Sequence, residues 1–145
     1  VYDSILVPTD GSDGTAVALE HALDAAKTRG GTVHALSVVD RRIHLAAGDD
    51  QKDSVAESLR ERASEAVDAV AEAARAEGVE VTTEVREGVP YRCILEYADE
   101  RDVDLIVVGT HGRTGRDKLA SLGSVTERVV ENTTRPVLVV NIGDE

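Results

Sequence analysis

Five short apolar runs, each separated from the next by a segment of helical periodicity, limit this chain to very few architectures. Ile5-Leu6-Val7 is closed by Pro8, and residues 32–39 read Thr-Val-His-Ala-Leu-Ser-Val-Val. Val79, Val81, Thr83 and Val85 alternate, Val103 to Val108 is almost wholly apolar, and Pro136 to Asn141 carries a last run. Each has the length and β-branched content of a strand, and the continuous runs predict strands buried on both faces. Between them, Ala16, Leu19, Leu23 and Ala26 mark one face of a helix from about Asp13 to Thr28. Val55, Leu59, Ala63, Ala66, Val70 and Ala73 mark another within Gln51 to Glu77. Tyr91, Ile94, Leu95 and Ala98 define a third after Pro90, and a fourth is expected from Val125 to about Asn132. Ser12 is a plausible N-cap for the first helix, and Ser124 with Glu127 has capping-box spacing for the fourth. Gly30-Gly31 and Gly78 sit where helices should stop, and Pro90 suits a first helical turn.

Strands alternating with helices predict an α/β fold, a parallel sheet with helices on both faces. One domain over 1–145 accommodates the whole pattern. In such sheets ligands bind beyond the carboxyl ends of the strands, where the strand order reverses. The segments leaving the first strand (Pro8 to Ser12) and the fourth (Gly109 to Gly123) are both carboxyl-end loops. Were those strands neighbours, the two loops would meet in one crevice. Asp40 to about Asp50 reads as an irregular surface loop.

The loop after the fourth strand carries Gly109, Gly112, Gly115 and Gly123, four of the twelve glycines. Glycine lets backbone N–H groups approach a ligand closely, and a following helix N-terminus adds unpaired donors and partial positive charge. This combination suits a phosphate, with Arg113 and Arg116 able to add charge. The spacing is neither a Walker A loop nor the dinucleotide fingerprint. A merely flexible connection is the alternative. Asp10 can accept hydrogen bonds from a ribose or base, or serve only as a turn residue. Thr9 and Ser12 carry the same ambiguity. His111 has no nucleophile beside it in sequence, and His21, His34 and His44 are scattered, with no metal-ligand spacing.

The net charge of −12 argues against nucleic acid as a partner. Arginine outnumbers lysine thirteen to three, and Phe, Trp and Met are absent. This acidic, lysine-poor, small-residue composition suggests adaptation to high salt. No stretch reaches the length of a membrane span, and nothing at the start resembles a signal peptide, so a cytoplasmic location is expected. The single Cys93 fits a reducing compartment, and nothing beside it in sequence suggests an activated thiol. Two look-alikes fail on chemistry. A receiver domain needs a phosphoacceptor Asp after the third strand, where this chain has Arg86-Glu87-Gly88-Val89-Pro90. A flavodoxin needs loop aromatics to sandwich its flavin ring, and of the three aromatic residues here, Tyr2, Tyr91 and Tyr97, none is in a suitable loop.

Pro8-Thr9-Asp10, Ser37-Val38-Val39-Asp40, Gly88-Val89-Pro90 and Gly109-Thr110-His111-Gly112-Arg113 through Gly123-Ser124-Val125-Thr126-Glu127, followed by Arg135-Pro136-Val137-Leu138-Val139-Val140, together resemble the universal stress protein family, specifically its ATP-binding branch. The likeness covers nearly the whole chain. That branch has Gly, two residues, Gly, nine residues, Gly, then Ser or Thr; here ten residues separate Gly112 from Gly123. The resemblance implies a three-layer α/β/α sandwich with strand order 3-2-1-4-5, of the Rossmann-like adenine nucleotide alpha hydrolase type. It implies that Pro8, Thr9 and Asp10 line the adenosine end and that Val38 touches adenine. Gly109, Gly112 and Arg113 would lie by the ribose and phosphates. Gly123, Ser124 and Val125 would hold phosphate oxygens. ATP with Mg2+ carried on its phosphates is the implied ligand, with slow or no hydrolysis. A homodimer through strand 5, Val137 to Val140, is implied as well. A small ATP-cleaving enzyme and an interaction module without nucleotide remain the alternatives.

Overall fold

The apolar runs assemble into one sheet. A computed structural model describes residues 2–11, 13–40, 52–110 and 123–141. In chain order the elements are β1 (Ser4–Pro8), α1 (Asp13–Arg29), β2 (Thr32–Asp40), α2 (Lys52–Ala76), β3 (Glu80–Gly88), α3 (Pro90–Arg101), β4 (Leu105–Gly109), α4 (Ser124–Asn132) and β5 (Val137–Val140). The five strands run parallel in the order β3-β2-β1-β4-β5. Strands β1 to β3 step one way across the sheet and β4 and β5 step the other, so the order reverses between β1 and β4. The Ser12 cap and the 41–50 loop expected from the sequence lie outside the described residues.

Period-two alternation divides the core into two layers. Ile5, Val7, Val33, Ala35, Leu105 and Val107 face α1 and α2. Leu6, Leu36, Ile106 and Val108 face α3 and α4, where Ile94, Tyr97, Ala98 and Val129 cover them. Burial on both faces explains the unbroken apolar runs in β1 and β4. On α1 the covering residues are Ala18, Leu19, Ala22, Leu23 and Ala26, mostly alanines, which let the helix sit close to the sheet. Among the described residues, no helix is long and apolar enough to cross a membrane.

The expected helical faces are right in kind and slightly wrong in angle. Ala16 is exposed, while Ala18 and Ala22 are buried. On α2 the buried line runs through Ala56, Ala63, Ala66, Val67, Val70, Ala71 and Ala74, and Val55, Leu59 and Ala73 lie at its margin. Alanine occurs all round α2, so sequence contrast between its faces is low. Strand β3 departs further. Val79 is buried just before it, but Thr83 and Val85 are exposed. The reason is position: β3 is an edge strand, and the helix layer on that side covers only its beginning. On its other face Glu84 and Arg86 are half covered by Tyr97 and its neighbours.

Candidate functional site

The carboxyl ends of β1, β2 and β4 bring three of the expected segments to one edge. Pro8 pairs with Leu36, so β2 continues past the end of β1 and carries Val38 beyond it. The Thr9 N–H still donates to the Leu36 carbonyl at 2.8 Å, holding the start of the turn against β2. Thr9 is buried, and its Oγ1 accepts the Gly11 N–H at 3.1 Å. That bond closes a small turn in which Gly11 takes φ +82°, a left-handed conformation suited to glycine. A Cβ there would stand 3.5 Å from that of Ala66, so α2 supports the turn from behind. Asp10 is left exposed at the apex, its Oδ1 accepting the Thr15 hydroxyl at 3.4 Å. Pro8 and Val38 are partly buried, Val38 against the α3–α4 core layer.

Across the reversal point, the β1–β4 ladder pairs Ile5 with Leu105 and Leu6 with Ile106 and stops there, short of the strand ends. Gly109 closes β4, paired with Val140 of β5. Helix α4 then begins at Ser124 with Gly123 as its N-cap, at φ 85° and ψ 149°. This corrects the expected capping box by one residue. Ser124 stands inside the helix, and no side-chain bond caps the terminus. The first intrahelical bond is Glu127 N–H to the Gly123 carbonyl at 2.9 Å. The N–H groups of Ser124, Val125 and Thr126 therefore precede the helical ladder, as the first donors of any helix do. Ser124 and Val125 are exposed there. Glu127 adds an acidic side chain to the same turn. The backbone donors and the helix dipole at this end suit an anion.

The structure thus brings Pro8, Thr9, Asp10, Val38 and Gly109 to the carboxyl edge, with Gly123, Ser124 and Val125 opening the helix that follows β4. Gly112 and Arg113 lie outside the described residues, as do Gly115, His111 and Arg116. One residue at this edge was not singled out from the sequence. Thr126 is buried, and its Oγ1 donates to the Gly109 carbonyl at 2.9 Å. Its position was the available signal: a threonine in the first helical turn has no preceding turn to bond back to. No group of three or more His, Cys, Asp or Glu able to hold a metal ion occurs among the described residues.

The fold agrees with that of known proteins. A family model described as the Universal stress protein family matches residues 2–141. Universal stress protein MJ0531 of Methanocaldococcus jannaschii is 41% identical over 141 residues, spanning 97% of this chain and 82% of that protein. The solved structure of MJ0577, from the same organism, has a TM-score of 0.87 at 29% identity and covers 99% of both chains. A universal stress protein from Archaeoglobus fulgidus, solved in complex with dAMP, has a TM-score of 0.72 at 25% identity, covering 97% of this chain and 98% of that one. This chain belongs to the universal stress protein family.

Proposed function

We propose that this protein binds an adenine nucleotide at the carboxyl edge of its sheet and serves as a regulatory binding protein rather than a fast hydrolase. The observation that carries this is the opening of α4. A glycine N-cap at φ 85° starts a helix whose first donors have no side-chain cap, beyond the strand at which the sheet order reverses. The dAMP complex of a related fold supports the choice of an adenine nucleotide. In this reading Asp10 receives the ribose hydroxyls or base, with Pro8, Thr9 and Val38 lining the adenosine end. The backbone of Gly109, Gly112, Gly123, Ser124 and Val125 approaches the phosphates, together with the Ser124 hydroxyl, and Arg113 lies beside them. ATP is the proposed ligand, with Mg2+ bound to the phosphates, where few protein ligands are needed. Hydrolysis is slow or absent in this reading, since the sequence fixes no general base or transition-state arginine in place.

The decisive test is mass spectrometry of small molecules released on denaturing the purified protein, followed by calorimetric titration with ATP and magnesium. Released adenine nucleotide, or micromolar affinity, supports the proposal. No released nucleotide and no heat, with the protein shown to be folded, sinks it.

The protein acts as a homodimer in this proposal. Among the described residues, strand β5 pairs on one side only, with β4, and it exposes Leu138. A second β5 would satisfy the remaining backbone groups. Sedimentation should report a dimer that Leu138→Asp weakens; a monomer at all concentrations would remove it. The acidic surface fits a cytoplasm of high salt. Screening then relieves its self-repulsion, so the melting temperature should rise with salt, and a flat profile would remove that adaptation.

A further inference from the structure

The Thr126 hydroxyl bridges two parts of the proposed site that lie seventeen positions apart in sequence. One end of the bridge is the carbonyl of Gly109, the last residue of β4, which the sheet fixes through its pairing with Val140. The other end is the first turn of α4, which carries the Ser124 and Val125 donors. A helical threonine commonly spends its hydroxyl on a carbonyl one turn back. Near the start of α4 no such turn exists, and the Gly123 carbonyl already accepts the Glu127 N–H. The hydroxyl reaches outside the helix instead, at 2.9 Å and largely shielded from water. Further along α4, Val129 is fully buried in the α3–α4 core layer and Arg128 lies over the Tyr91 ring of α3, 5.1 Å from its centroid. Both come after Thr126 in the helix, while the hydroxyl bond ties its first turn to the end of β4.

We infer that Thr126 is a positioning residue for the phosphate end of the nucleotide site, locking the donor-bearing first turn of α4 to the end of β4 before any ligand arrives. This rests on the nucleotide reading above. The physical effect is preorganisation: the bond removes freedom that the ligand would otherwise have to remove on binding. The adenosine end is held by different contacts, Thr9 to Leu36 and Gly11 to Thr9, and does not depend on Thr126.

The test compares two probes, ATP with magnesium and adenosine, by calorimetry on the full chain. Thr126→Val removes the hydroxyl and keeps the branched shape, while Thr126→Ser keeps the hydroxyl. In the valine variant ATP affinity should fall by roughly three- to tenfold, the worth of one hydrogen bond, and adenosine affinity should not change. The serine variant should bind ATP within about twofold of the parent. Thr126→Ala, which favours the helix, takes the place of valine should that variant fail to fold. Unchanged ATP affinity without the hydroxyl overturns the inference. So does an equal loss for ATP and adenosine, which would mark Thr126 as a general structural bond. A parent protein that binds neither probe overturns the nucleotide reading itself, a distinct outcome.

Discussion

The two ends of the sheet treat their polar groups in opposite ways. At the carboxyl end, the opening of α4 presents backbone N–H groups that no side chain caps, and the exposed Asp10 stands at the turn after β1. At the amino end, side chains occupy the backbone. The Asp104 carboxylate accepts the N–H groups of both Asp3 and Ser4 at 3.0 Å. Arg135 donates to the Val103 carbonyl at 2.8 Å and to Asp102 at 3.1 Å, bracing the left-handed Asp102 (φ 52°) that ends α3. Gly31 lets strand β2 start against the chain before β1, since a Cβ there would stand 2.8 Å from the Asp3 carbonyl. Deeper in, His34 joins Ser4 Oγ at 2.9 Å through Nε2 and Tyr97 Oη at 2.8 Å through Nδ1. Closed hydrogen bonding rigidifies, while the first donors of a helix suit an anion. One sheet can thus keep stability at one end and, in the proposed reading, recognition at the other.

That division is most directly broken from the amino end. Tyr97 is fully buried and heads the largest side chains of the core. Tyr97→Ala should cost about 3–5 kcal/mol in urea unfolding, while the fraction still folded binds ATP normally. A proportionate loss of affinity would show that the two ends are not separable. Gly123→Val probes the other side. A β-branched residue at φ 85° is strained by about 1–3 kcal/mol, and its side chain crowds the donors of α4, so ATP binding should be lost. Asp10→Ala should weaken ATP by roughly ten- to a hundredfold, the worth of a hydrogen bond to a charged group. Because Asp10 is exposed, unfolding free energy should move by no more than about 0.5 kcal/mol. Asp10→Ala binding with parental affinity would remove Asp10 from the site. A smaller effect is expected of Tyr97→Phe, which removes only the hydroxyl bonded to His34. It should destabilise by about 1–2 kcal/mol, and a neutral result would mean the buried bond contributes nothing net.

The carboxyl end was the more legible of the two in the sequence. Alternating elements predict where β1 and β4 end, and the topological rule then assigns Pro8, Thr9 and Asp10 to the same edge as Gly109. Both inferences use local pattern and short spacing. The amino-end network could not be found that way, because Ser4, His34 and Tyr97 are 30 and 63 positions apart. His34 alone looked like one of several scattered histidines. The start of α4 was misjudged by one residue for a related reason. Ser124 and Glu127 have the right spacing for a capping box, but the cap is set by the φ and ψ of Gly123, which composition does not encode. The tilt of the α2 stripe escaped because alanine fills both faces. Thr83 and Val85 alternate correctly, yet which face of an edge strand is covered depends on where the neighbouring helices lie.

The last test of the comparison concerns charge at the closed end. In the neutral ring of His34, one nitrogen donates and the other accepts, so Ser4 and Tyr97 take opposite roles. Protonation makes both nitrogens donors and requires both hydroxyls to accept. Burial opposes that charge and lowers the His34 pKa from its ordinary value, and the nearby Arg101 guanidinium lowers it further. Arg86 also lies over the Tyr97 ring, with Glu84 and Glu100 bonded to it in turn. A lowered pKa means the folded state takes up the proton less readily than the unfolded chain. The stabilising contribution is therefore complete above about pH 6.5, the unfolded value, and is lost as pH falls from there through the folded pKa. One such group limits the slope to about 1.4 kcal/mol per pH unit. Urea unfolding of the parent and of His34→Gln should thus converge as pH drops from 7.5 towards 5, the parent losing more. Parallel curves would mean that His34 is not held neutral by the fold. Over the same range the ratio of ATP to adenosine affinity, which changes with pH as the ATP phosphate itself titrates, should match between the parent and His34→Gln at each pH, since His34 lies away from the proposed nucleotide site. A pH-dependent difference between the two would couple the closed end to the open one.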